Sequence, residues 1–146
     1  MARSTFTIEN PQALTDGLQA LDNIASEAVL RQAAVAGARV IFDEVKLRAP
    51  VGDATYERKG APHAPGTLRD SILIAYDKEV SVPGKLASYI VTWSKDAFYG
   101  RFLEYGTSKL SARPFLRPSY EAKKNEAAAA VDAVIQTKAG ELTNVK

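Results

Sequence analysis

Residues 24–50 read IASEAVLRQAAVAGARVIFDEVKLRAP and carry the strongest periodic signal in the chain. Ile24, Ala28, Val35, Ala38, Phe42 and Val45 recur at steps of three, four and seven, which draws one apolar stripe along a helix. Ala33, Ala34, Ala36 and Ala38 raise helix propensity and allow a neighbour to pack closely. Pro50 stops the helix near Ala49, because the residue before a proline is pushed out of the helical region.

Upstream, Ser4 to Glu9 alternates polar and apolar residues as a short strand would. Asn10 and Pro11 then read as an N-cap and first helical position. Leu14, Leu18 and Leu21 give the following short helix its apolar side as far as about Asp22, with Gly17 weakening it slightly. Downstream, residues 51–67 contain Gly52, Gly60, Pro62, Pro65 and Gly66 and predict a long loop without regular structure. Such a loop is expected to be mobile in a lone subunit and to order against a neighbour.

Two strands follow. Ser71 to Tyr76 places Ile72, Ile74 and Tyr76 on one face. Leu86 to Ser94 does the same with Tyr89, Val91 and Trp93, and Val82-Pro83-Gly84-Lys85 is the turn between them. An isolated hairpin is marginal, so this one must pack on the long helix. Residues 98–107, FYGRFLEYGT, fit a short helix ended by Gly106. A connector to Arg117 leads to a last helix from about Ser119 to Lys138, opened by Pro118, faced by Ala122, Ala127, Val131, Val134 and Ile135, and ended by Gly140. The expectation is one α+β domain over residues 1–146, a small antiparallel sheet packed against a long amphipathic helix, with a C-terminal helix.

Composition narrows the chemistry. The 146 residues are 46% apolar and 25% charged, typical of a soluble domain able to bury about two-thirds of its unfolded surface. Cysteine is absent, which removes disulfides, thiolate metal sites and a cysteine nucleophile. The start shows no charged-then-apolar leader and the chain no long apolar run, so neither signal peptide nor membrane span is expected. A net charge of +2 does not by itself point to nucleic acid. Phosphate-loop, nucleophile-elbow and zinc-protease motifs are all missing.

His63, the only histidine, reads as a solvated loop residue, although a general base or metal ligand is the functional alternative. Asp43, Glu44 and Asp53 read as solvated carboxylates and not as a metal site. Glu104 lies among Tyr99, Phe102 and Tyr105, where a carboxylate is either a perturbed acid or one side of a bridge to Arg101, Arg113 or Arg117. The bridge is the expectation. Arg58, Lys59, Arg69, Arg101, Lys109, Arg113 and Arg117 are expected to be scattered on the surface; clustered, they would suit a nucleic-acid-contacting module.

Three segments in order carry a resemblance. They are Ala49-Pro50-Val51-Gly52, then Gly66-Thr67-Leu68-Arg69-Asp70-Ser71-Ile72, then Tyr99 to Thr107 followed by Ala112-Arg113-Pro114-Phe115-Leu116-Arg117-Pro118. Together they resemble the neck and tail-completion family of long-tailed bacteriophages, which includes lambdoid head–tail joining and minor tail components and, distantly, the minor tail protein Z of phage lambda. The resemblance implies a small α+β virion subunit without catalysis or cofactor. It would be made in the host cytoplasm and form a homo-oligomeric ring, hexamer or dodecamer, at the head–tail junction. Its implied partners are head-completion or adaptor proteins and tail-tube or terminator proteins, with passing contact to DNA in the channel and none to membrane. A non-virion assembly factor is the alternative. On this reading the candidate interface residues are Tyr56, Arg58, Arg69, Tyr99, Phe102, Glu104, Tyr105, Arg113, Phe115, Leu116 and Arg117. Pro114 and Pro118 would hold Phe115 and Leu116 outward as apolar anchors.

Overall fold

The computed structural model describes residues 11–143 except 25, 54 and 59, so the expected strand at 4–9 lies outside the described residues. Helix α1 (Pro11–Ile24) is followed by α2 (Glu27–Arg48), and α2 ends where Pro50 requires. Strands β1 (Tyr56–Arg58) and β2 (Ala61–His63) lead to the short helix α3 (Thr67–Ser71). Strands β3 (Ile72–Tyr76) and β4 (Tyr89–Trp93), a 3-10 turn (Lys95–Ala97), α4 (Gly100–Tyr105) and α5 (Leu116–Thr143) complete an α+β fold.

The β3–β4 hairpin is antiparallel, with Ile72 opposite Trp93, Ile74 opposite Val91 and Tyr76 opposite Tyr89. This register puts the three expected residues of each strand on one face, and α2 packs against both strands. The other face leaves Leu73 and Ile90 exposed. Below the sheet, Val45 and Ala49 of α2, Leu68 of α3, Ile72, Ala97 and Phe115 form the buried core. Ile41, Phe42, Val91, Trp93, Tyr99, Leu103 and Leu116 close around it.

Helix α5 lies along α2, and small residues let the two approach. A Cβ on Gly37 would sit 2.7 Å from Val131 Cγ2 and 3.2 Å from the carbonyl oxygen of Ala127. The buried residues here are Val29, Ala33 and Gly37 beside Ala38 of the expected stripe, whereas Ala28 is exposed. Close contact with another helix favours the least bulky line of residues over the most apolar one.

One loop and both ends of the last helix differ from expectation. Residues 51–67 are not wholly irregular, because β1 and β2 pair with Tyr56 opposite His63 and Arg58 opposite Ala61. Helix α5 begins at Leu116, two residues before Pro118. The amides of a first helical turn have no intrahelical acceptor, so proline fits at its third position as well as at its first. Gly140 does not end the helix, which continues to Thr143.

Candidate functional site

The third motif segment folds into a joint between α4 and α5. Gly106 ends α4 by donating its amide to the Phe102 carbonyl at 2.9 Å, with φ at +74°. A side chain would be strained at that φ, and its Cβ would lie 2.9 Å from both Leu110 O and Ala112 N. The chain then turns back, Thr107 and Leu110 exchanging backbone hydrogen bonds, until the Arg113 amide donates to the Leu103 carbonyl at 2.7 Å.

That path delivers the start of α5 to Glu104. The amides of Phe115 and Leu116 donate to Glu104 Oε2 at 2.7 and 3.0 Å, and the Arg117 amide donates to Oε1 at 3.0 Å. Pro118 has no N–H, and the next amide, Ser119, reaches back to the Phe115 carbonyl. Every donor in the first turn of α5 is thus accounted for. A carboxylate is well suited to this position because the helix dipole is positive there. Glu104 is 7% exposed, so its amide bonds work away from competing water. The expected arginine bridge is corrected: Glu104 does hold structure, but its partners are backbone amides. No arginine forms an ion pair with it among the described residues.

Phe115, the residue just before this helix, is 0% exposed and packs against Trp93 with ring centres 5.8 Å apart. It is an anchor of the domain's own core and not of its surface. Trp93 in turn lies over Gly100, where a Cβ would come within 2.9 Å of the indole and of Leu68 Cδ1. Gly100→Ala is therefore expected to lower stability by about 1–2 kcal/mol, overpacking outweighing the gain in helix propensity. A shift of the urea midpoint at unchanged slope would register it.

The other motif segments converge on the same joint. Gly66 leads into α3, whose Leu68 enters the core; the Thr67 hydroxyl donates to the Ala64 carbonyl at 2.7 Å. His63, at the end of β2, is half-buried and stands edge-on to Tyr99 at 6.3 Å, which corrects its reading as a solvated residue. A cleft of about 240 Å³ opens between Pro50–Gly52, Ala64–Gly66, Tyr99, Leu103 and Arg113.

The remaining candidate interface residues divide by exposure. Phe102 and Tyr105 point outward, and Arg113 and Arg117 are exposed nearby. Arg69 is exposed and pairs with Asp70 at 3.1 Å. Tyr99 and Leu116 are half-buried against the core, while Tyr56 and Arg58 lie on β1. Phe98 is a surface aromatic that the motif reading passed over; it meets Phe102 edge-on at 6.1 Å. Asp43 and Asp53 are exposed, and Glu44 bonds Arg48 at 2.6 Å. Among the described residues no group of three acidic or histidine side chains is placed to hold a metal ion.

The family model described as "Bacteriophage HK97-gp10, putative tail-component" matches residues 12–106, from the first turn of α1 to the glycine that ends α4. The chain belongs to this HK97-gp10-like family. It is thus a bacteriophage tail-component protein with a structural role, and part of the virion. The match includes the helix-ending Ala49-Pro50-Val51-Gly52, α3 and Glu104 itself, whereas the residues Glu104 caps lie beyond it. No curated protein and no solved structure matches the chain. Among the described residues, no helix of this HK97-gp10-like protein is long and apolar enough to cross a membrane.

Proposed function

We propose that this HK97-gp10-like protein is a non-enzymatic subunit of a homo-oligomeric ring, hexamer or dodecamer, at the head–tail junction of a long-tailed phage. Its neighbours there are a head-completion or adaptor protein above and a tail-tube or terminator protein below. The observation that carries this reading is how the most specific motif is used. Both oxygens of Glu104 are occupied by α5 amides, so the carboxylate serves architecture, while Phe102 and Tyr105 on the same short helix face outward. A rigid joint that displays aromatic side chains suits a contact surface, since aromatics are enriched where proteins meet. Exposed Arg101, Lys109, Arg113 and Arg117 would also tolerate a genome passing through the channel.

The β1–β2 hairpin is the second element of the proposal. Three residue pairs do not make a hairpin stable by themselves, so in a lone subunit it moves and in the ring a neighbour holds it. That ordering cost keeps free subunits from assembling before they meet a preformed surface. Tyr56 pairs with His63, so a 54–64 excision removes the hairpin as one unit. Deleting 54–64 is expected to leave the far-ultraviolet dichroism and cooperative melting of the domain in place and to abolish incorporation into particles. Normal incorporation of the shortened chain would refute the hairpin's role.

A further inference from the structure

Helix α1 carries an apolar face that the described residues leave largely exposed. Leu14, Leu18 and Leu21 fall on one stripe and are 50%, 60% and 63% exposed. A helix of 14 residues is marginal in water unless such a stripe is buried. The same helix carries Asp16 and Asp22 and no lysine or arginine. It is therefore an apolar and acidic surface.

The complementary surface lies around α4. Phe98, Phe102 and Tyr105 are exposed, the last at 76%, beside a shallow groove of about 550 Å³ lined by Arg101, Phe102, Tyr105, Gly106 and Thr107. Arg101, Lys109 and Arg113 are exposed around them. From Phe98 to Pro118 the only acidic residue is Glu104, and it is buried under the α5 amides. The patch is apolar and basic. We infer that α1 of one copy docks on the α4 patch of the next, with the leucine stripe against Phe102 and Tyr105 and the aspartates toward Arg101 and Lys109. Charge complementarity selects a second copy as the occupant, because each chain carries both halves of the match. The halves are different faces, so the contact runs head to tail and closes only by rotation. The inference rests on the ring proposed above and names the surfaces that build it.

The absence of cysteine makes a direct test possible. Leu18→Cys and Phe102→Cys are introduced together, and particles are treated with a short bis-maleimide, which tolerates small errors in register. A ladder of covalently linked chains is expected from the double variant, and unlinked chain from either single variant. Unlinked chain from the double variant, in particles that contain it, overturns the inference and leaves the ring intact. Particles that lack the wild-type chain altogether refute both. A second measurement guards against a misplaced cysteine. Asp16→Lys with Asp22→Lys is expected to block incorporation, and adding Arg101→Glu with Lys109→Glu to the same chain is expected to restore it. Normal incorporation of the first pair, or no restoration by the second, also overturns the inference.

Discussion

Glu104→Ala is expected to lower the stability of the domain by about 3–5 kcal/mol. The substitution removes one carboxylate but strands three amide donors, those of Phe115, Leu116 and Arg117. Hydrogen bonds to a charged group contribute about 1.5–3 kcal/mol each, and a buried donor left without an acceptor costs about 1–3 kcal/mol. The three bonds share one anion, so their contributions do not simply add. Glu104→Gln keeps one acceptor oxygen but turns an amide donor toward the helix N-terminus, and about half the loss is expected. Truncating Arg101, Arg113 or Arg117 to alanine should change stability by less than about 0.5 kcal/mol, because none of them holds the carboxylate. Urea unfolding of the five variants separates the two accounts of Glu104. Equal losses in Glu104→Ala and in one arginine variant would restore the salt-bridge reading.

Phe115→Ala is the second large effect, about 3–5 kcal/mol, since it empties a fully buried aromatic site against Trp93. Domains of this kind hold about 5–15 kcal/mol in total, so the variant stands close to unfolding at moderate temperature. The measurement also separates a core role from an interface role. A surface anchor would leave melting unchanged and lose assembly; a core anchor lowers the melting temperature of the isolated subunit before assembly is asked about. A wild-type melting temperature in Phe115→Ala would contradict the packing described here.

Much of the fold can be read locally. Pro50 stops α2, Gly106 stops α4, and alternation along 72–76 and 89–93 sets the inner face of the hairpin. These features depend on backbone sterics and on periodicity, which neighbouring residues determine. What escapes a local reading depends on residues far apart in the chain. The start of α5 is set by a carboxylate 11 to 13 positions earlier. Nothing in Arg-Pro-Phe-Leu-Arg-Pro distinguishes an outward phenylalanine from one that faces Trp93. The pairing of Glu57 with Pro62 is hidden for another reason: a three-residue strand containing proline has no alternation to detect.

The candidate site shows the same division. The aromatic-Leu-Glu-Tyr-Gly-Thr segment marks the right place, and Phe102 and Tyr105 are exposed there as an interface would need. Glu104 and Phe115 are in that segment and its continuation for a different purpose, to hold the surface rather than to form it. The leucines of α1 show the reverse case. Their spacing reads as the apolar side of a short helix, and only the packed chain shows that the described residues leave it exposed.

Cryo-electron microscopy of the intact particle tests the proposed function most directly. The expected result is a closed ring of this chain between portal and tail tube, with α1 of each copy lying on α4 of the next. A particle in which the junction is built entirely from other chains, with this one absent or confined to another part of the tail, would contradict it.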